Sequence, residues 1–434
     1  MRKTMILVIV TVVCLTLTGT VFAGGVRETK EKQEEVVLEW WTIDSEEFSA
    51  TAQQELAKAY SDATPGVSVK VTILPSAGFG RKMDTALTAG VGAPDVAIYW
   101  NNRWFPYALE LDDYIKKDGF DKDQYIESFW TTRALWRDKV IGLPTSLGAT
   151  IIIYNKDLFD AKGVPYPTAD WTTYDYIETA KELVNNKTMS WGSDRPRKPF
   201  RTVWHNYGAL PYSDDSTTVD GYFNSQEMID AYTWFWDLVN SKSTPRASEL
   251  ANLGNEGTGP VDLFLAGRIA MANLNQGHLR TIIKNGMNVG VLPEPQVEGK
   301  QRYVNAWATM ISIWKESKHP YESWNFLKYL CGPEGQSFLM QRSQLVPTIA
   351  SLLPNLPDAE TEHMKAFFDV LQYPQIAEWN QSHPSYAQIE KAAKDLWDQI
   401  DLELIDRDQI PVILNEMVPQ MQKVLEENVK KLGS

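Results

Sequence analysis

The hydrophobic pattern of the chain alternates between two periods. Val36-Val37-Leu38-Glu39-Trp40-Trp41 reads as a strand buried on both faces. Leu56, Ala59, Tyr60 and Ala63 recur at helical spacing over Ala52 to Ala63, and Pro65-Gly66 ends that helix. Val67, Val69, Val71 and Ile73 then alternate as a strand. Met83 and Leu87 mark a helix from Arg81 to Ala89, closed by Gly90, and Pro94-Asp95 opens a strand from Val96 to Trp100. Strand and helix in alternation predict a mostly parallel sheet with helices on both faces.

The rhythm returns further along. Ala149 to Tyr154 is a β-branched run, and Thr172 with Asp175 three positions on is a capping-box signature for a helix from Thr172 to Val184. Short strands are predicted at Ile269 to Ala272 and Met310 to Ile313. Pro320 opens a helix carrying Tyr321, Trp324, Leu327 and Leu330, and the segment from Pro384 to Lys431 is mainly helical. The 434 residues exceed one compact core and suit two domains.

The first residues follow a different rule. Met1-Arg2-Lys3, the apolar run Met5 to Leu17 and Val21-Phe22-Ala23 have the form of a secretory signal, residues 1–23. The apolar run falls short of the roughly 20 residues that span a bilayer. A competing reading acylates Cys14, but Thr11-Val12-Val13 is a poor context for it. Residues 24–35 are polar and charged, a flexible leader. Cleavage after Ala23 would take the net charge from −14 to −16 and leave Cys331 as the sole thiol, so no intramolecular disulfide is expected. The expected location is periplasmic or extracellular.

An acidic balance argues against nucleic acid, whose phosphates call for clustered Lys and Arg. His-Glu-x-x-His, Cys-x-x-Cys, Gly-x-Ser-x-Gly and the Walker loop are all missing, so no catalytic residue, metal or cofactor is assigned. What stands out is tryptophan: 16 indoles beside 18 Tyr and 15 Phe are more than packing alone calls for.

Four segments, in order, carry a resemblance. They are Leu38-Glu39-Trp40-Trp41 with Thr42-Ile43-Asp44; Ala89-Gly90 to Pro94-Asp95-Val96, ending in Trp100-Asn101-Asn102-Arg103; Gly142-Leu143-Pro144 with Tyr154-Asn155-Lys156-Asp157-Leu158-Phe159; and Gly290-Val291-Leu292-Pro293 with Ser317-Lys318-His319-Pro320 and Trp324 to Leu330. Together they resemble the family 1 extracellular solute-binding proteins, the maltose-binding-protein-like group. The resemblance implies an α/β, two-lobed (type II) periplasmic-binding-protein fold with mixed sheets flanked by helices and a hinged cleft. It implies lobe 1 at residues 36–144 plus 304–345 and lobe 2 at residues 145–303 plus 346–434. It implies a monomeric, non-enzymatic carrier that delivers a sugar or oligosaccharide to the permease of an ABC importer.

Indoles cover the C–H faces of a sugar while polar groups bind its hydroxyl rim. In such sheets ligands lie beyond the carboxyl ends of strands. The ligand-binding candidates are Trp41, Asp44, Trp100, Asn102, Arg103, Asn275 and Trp307, with Trp204 and Trp379 added because the resemblance implies stacking aromatics in those regions. By resemblance Asp44 accepts hydrogen bonds from sugar hydroxyls, and Trp100, Asn102 and Arg103 match a Trp, a polar residue and an Arg that hold sugar. The family has Asp where this chain has Asn102, so the site carries one negative charge fewer. For each candidate a bland role stands beside the functional one: Trp41 as core, Asp44 as the cap of the next helix, Arg103 in a surface ion pair. Trp130, Trp136, Trp171, Trp234, Trp236, Trp314, Trp324 and Trp397 are read as packing residues. The alternatives are an exported glycoside hydrolase, the same fold binding a small anion or metal chelate, and a sensor subunit.

Overall fold

A computed structural model describes residues 35–45, 47–185, 190–195, 201–252, 259–375 and 386–432. The signal, the leader up to residue 34, and Trp379 lie outside them. The chain divides into Met1–Glu35 and a unit from Val36 onward.

That second unit is organised by one strand. β1 (Val36–Ile43), β2 (Val67–Leu74) and β3 (Val96–Ile98) come first, followed by a small hairpin of β4 (Leu135–Trp136) and β5 (Lys139–Val140). β6 (Leu143–Asn155) is 13 residues long, and all but one of them are buried. β7 (Trp191–Ser193), β8 (Ile269–Asn275), β9 (Val289–Leu292) and β10 (Ala306–Ile313) complete the set. The large sheet runs β2-β1-β3-β10-β6-β8-β7, with β9 also on β6.

β6 changes partners half-way. Leu143 to Ala149 pairs with β10. Thr150 to Tyr154 pairs with β8, and Ile152 to Asn155 with β9. The switch lies at Ala149/Thr150, five residues beyond the Pro144 at which the resemblance places the first crossing. Two other segments run beside it: the Thr150 N–H donates to the Asn305 carbonyl (2.9 Å) and the Leu147 N–H to that of Val346 (2.8 Å).

The sheet is mixed rather than mostly parallel. β1 is parallel to β2 and β3, and β7 to β8. β10 is antiparallel to β3 and β6, and β6 to β8 and β9. This geometry has a functional consequence. The carboxyl ends of β1 and β3 point toward Ala149/Thr150 from one side, and those of β7, β8 and β9 from the other.

Local chemistry explains the elements. Thr172 and Asp175 form the anticipated capping box on the helix Thr173–Leu183. The helix before β3 begins at Ser76, not Arg81, because Pro75 is extended (φ −61°, ψ 133°) and starts it directly. β3 stops at Ile98, two residues short of the strand expected to reach Trp100, and Trp100 lies in the turn beyond. β10 begins at Ala306, so Trp307 lies inside it rather than before it. Gly192 in β7 is forced by contact: a Cβ there would meet the Ala180 carbonyl oxygen at 1.8 Å.

Helices Ala50–Ala63, Ser76–Ala89 and Pro320–Cys331 cover the first half of the sheet. There the fully buried Trp40 meets Phe326 edge to face, with centroids 5.4 Å apart. The helix Gln226–Asn240 and the C-terminal helices Tyr386–Asp401 and Ile410–Leu432 form a separate helical core, with Trp397 stacked on Phe235. Of the tryptophans read as packing residues, Trp130, Trp171, Trp324 and Trp397 are buried, whereas Trp136, Trp234, Trp236 and Trp314 are half-buried.

Candidate functional site

The first side of the site is aromatic. Trp100, just past β3, is 42% exposed, and its ring rests on Phe79 (centroids 4.7 Å) and Trp104 (6.0 Å). An exposed indole so tightly backed is a rigid, presented surface. Asp84 holds the turn behind it, accepting from the Trp104 indole (2.7 Å) and pairing with Arg103 (2.7 Å). Arg103 is thus in an exposed ion pair, its guanidinium already engaged. Asn102 opens the short helix Asn102–Tyr107; its side chain lies outside the description.

Trp41 is only 8% exposed, and the Lys82 ammonium sits 4.3 Å from its ring centre. Asp44 is exposed, and one carboxylate oxygen accepts the Ala50 N–H (2.9 Å) at the first turn of the helix Ala50–Ala63. It satisfies a helix terminus that otherwise lacks a side-chain cap.

Strand register orders these residues. Trp41 is level with Ala97, and Ala97 with Ser312. Trp307 lies five residues further along β10, roughly 17 Å at about 3.3 Å per residue, toward the middle of β6. It stands opposite Gly148, where a Cβ would come within 2.5 Å of the indole. The missing side chain is what admits this ring at the junction.

The two sides meet at Glu47 and Gln276. Ser146 donates to the Glu47 carboxylate (3.0 Å), and so does the Gln276 amide (3.3 Å), which also reaches the Leu147 carbonyl (3.2 Å). Gln276 is fully buried and accepts the Ala149 N–H (3.3 Å). Asn275 beside it accepts the His278 N–H (3.0 Å) and so caps the helix Gln276–Lys284.

The second side is acidic. Asp194 follows β7 directly, Glu294 follows β9 by two residues, and Asn273 lies in β8; all three line a cavity of about 40 Å³. Ile152, Thr173, Tyr176, Val203, Asn206, Trp234 and Pro295 complete its wall. Glu294 accepts from Thr150 (2.7 Å) and from the Asn273 amide (2.7 Å), while the Asn273 N–H donates to Asp194 (3.3 Å). Both carboxyls are buried. Burial raises Asp194 to about 7 and the Glu294 charge adds to the rise, against hydrogen bonds from the Asn273 backbone and Tyr176. Burial also raises Glu294, against hydrogen bonds from Thr150, Asn273 and Thr202 and the charge of Arg302. Burial pushes the Tyr176 hydroxyl far up.

Trp204, proposed from sequence as a stacking residue, lies in the helical core instead. It is 3% exposed and packed edge-on to Phe223 (6.3 Å) beside Tyr232. A ring enclosed in that way has no free face for a ligand. Its neighbour two positions on, Asn206, reaches the cavity. Sequence reasoning passed over Asp194, Glu294, Asn273, Asn206 and Glu47. Looking just past each strand would have found Glu294, which follows the Gly290-Val291-Leu292-Pro293 motif. β7 is three residues long and carries no periodicity, so Asp194 gave no such signal.

Residues 43–337 match the family model for bacterial extracellular solute-binding protein. The match covers most of the chain. The protein is a bacterial extracellular solute-binding protein. This solute-binding protein is 25% identical over 352 residues to the arabinooligosaccharide-binding protein of Bacillus subtilis, covering 77% of each chain. It is 24% identical over 253 residues to the sn-glycerol-3-phosphate-binding periplasmic protein UgpB of Agrobacterium fabrum, 55% of this chain and 56% of that one. Among solved structures it resembles the ABC substrate-binding protein of Listeria monocytogenes in complex with cycloalternan. There the TM-score is 0.72 at 23% identity, over 92% of this chain and 99% of that one. It also resembles UgpB of Mycobacterium tuberculosis in complex with glycerophosphocholine, with a TM-score of 0.73 at 16% identity over 90% and 99% of the two chains. The solute-binding protein therefore has the two-lobed periplasmic-binding-protein fold, with β6 as a strand common to both halves of its sheet.

Proposed function

We propose that this protein captures a sugar or oligosaccharide in the cleft between its lobes and hands it to the permease of an ABC importer without altering it chemically. One observation carries the reading. An exposed, backed indole, Trp100, stands just past the carboxyl end of β3, and hydrogen-bonding carboxylates stand past the carboxyl ends of β7 and β9, three strands that run toward Ala149/Thr150. That pairing suits a ligand with apolar faces and a hydroxyl rim. The cycloalternan and arabinooligosaccharide named for two similar proteins support it.

In this reading the lobes comprise residues 36–144 plus 304–345 and residues 145–303 plus 346–434. Closure over the ligand shifts an open–closed equilibrium. Residues 1–23 direct export, and the exported protein is a monomer. Trp41, Asp44, Trp100, Asn102, Arg103, Asn275, Trp307 and Trp379 remain the proposed contacts, with Glu294 and Asp194 added.

A second reading, a phosphorylated polyol, is favoured by the likeness to the UgpB proteins. It would bring an anion against the buried Asp194 and Glu294, where burial already disfavours negative charge, so the neutral sugar is the stronger reading. A thermal-shift panel of mono- and oligosaccharides with glycerol-3-phosphate separates the two. A ligand at 100 times its Kd adds about 2.7 kcal/mol. A response to glycerol-3-phosphate alone would refute the sugar reading. Release of reducing sugar from any panel member over hours would refute the non-enzymatic one.

A further inference from the structure

The acidic cavity of the second side has a donor and acceptor pattern that specifies more than an acid. Asn206 is 3% exposed and lines it. The Asn206 side-chain oxygen accepts the Tyr303 N–H (2.6 Å), which fixes the amide orientation. Its NH₂ has no protein acceptor among the described residues. The acceptors opposite are the carboxylates of Asp194 and Glu294, and one Glu294 oxygen is already engaged by Thr150 and Asn273. The remaining wall includes the apolar Ile152 and Val203. Arg302 donates to the Tyr373 hydroxyl (3.0 Å) and the Trp171 carbonyl (3.3 Å), both neutral, and its charge acts on Glu294.

The group that suits this lining must donate to a carboxylate and accept from an amide, on a short apolar stem. An ammonium cannot accept from Asn206, and a phosphate dianion cannot donate and would bring charge where burial disfavours it. A hydroxyl does both. A methylene and its hydroxyl are about the size of two water-sized groups, which the cavity can hold.

We propose that this cavity is a specificity subsite that receives the hydroxymethyl group of a hexose, its hydroxyl lying between Asp194 and Asn206 and its methylene against Ile152 and Val203. The proposal rests on the carbohydrate reading and narrows it to sugars carrying a primary alcohol on the ring. A pentopyranose, identical but for that group, leaves the buried polar atoms without the partner.

The test is calorimetric titration of the full exported chain with pairs that differ only in the hydroxymethyl: D-glucose and D-xylose, D-galactose and L-arabinose, D-mannose and D-lyxose, cellotriose and xylotriose. For the pair that binds best, the hexose member is expected to bind at least tenfold more tightly. Asp194→Asn and Asn206→Ala should each reduce that ratio at least threefold, and circular dichroism of each variant reports that it is folded. A pentose that binds within twofold of its hexose, or a ratio unchanged in both variants, overturns the subsite and leaves the carbohydrate reading standing. A panel in which no sugar binds overturns the carbohydrate reading and the subsite with it.

Discussion

Asp194→Asn tests the acidic cavity through stability. The folded carboxyl titrates near 7, against 3.8 for the exposed group, chiefly because burial disfavours its charge. Between those two values the folded protein holds a proton that the unfolded chain has released. Stability in this window therefore falls as pH rises. The difference of about 3 units corresponds to about 4 kcal/mol lost between pH 4 and pH 8, with a slope of at most about 1.4 kcal/mol per pH unit. Glu294 and Tyr176 face the same carboxyl, and Arg302 acts on Glu294. Glu294 is shifted in the same direction, so the wild-type slope contains both carboxyls. The asparagine variant is nearly isosteric and cannot ionise, so it removes the Asp194 part. Urea unfolding of both proteins from pH 4 to pH 8 should give curves that diverge by several kcal/mol, with the variant gaining relative to the wild type as pH rises. Parallel curves across that range would show that Asp194 is solvated and ionised in the folded state, and the argument from burial would fail.

Three further outcomes follow from other parts of the site. Trp100→Ala should weaken sugar binding about tenfold or more, about 1.4 kcal/mol, while chemical denaturation changes by less than about 1 kcal/mol because the ring is 42% exposed; unchanged affinity by calorimetry would remove Trp100 from the site. Gly148→Ala drives a methyl into the Trp307 indole and should cost about 1–3 kcal/mol. The double variant with Trp307→Ala should recover part of that loss, and its absence would refute the contact. Arg195, buried just after β7, pairs with Asp401 and donates to the Pro245 carbonyl (3.1 Å), tying that strand to the helix Tyr386–Asp401. Arg195→Met should cost about 3 kcal/mol in urea unfolding, and a loss below about 1 kcal/mol would mean that the pair contributes little.

Most elements of this fold were legible because each half-buried strand and amphipathic helix writes its own period. Val67 to Ile73 alternates, and Thr172 with Asp175 marks a helix start, because a few local contacts decide both. Strand direction was not legible in the same way. β10 inserts between β3 and β6 from about 150 residues beyond β6, and nothing in Ala306 to Ile313 states which way it will pair. The site divides along the same line. Trp100 could be proposed because the short segment Trp100-Asn101-Asn102-Arg103 carries the family resemblance, while its exposure beyond β3 came only with the fold. Trp204 carried a similar local signal, yet it is buried by Phe223, Tyr232 and the C-terminal helices, and that packing is decided by residues up to two hundred positions away. Asp194 and Glu294 stand one hundred residues apart, and neither looks unusual in an acidic chain. What gives them chemistry is that β7 and β9, on opposite sides of β6, both run toward Thr150, which buries the two carboxyls beside one another. A residue type can therefore be nominated from sequence, but its protonation behaviour belongs to the neighbours that the topology assembles. The titration of Asp194 reports on that assembly more directly than any composition of the chain could.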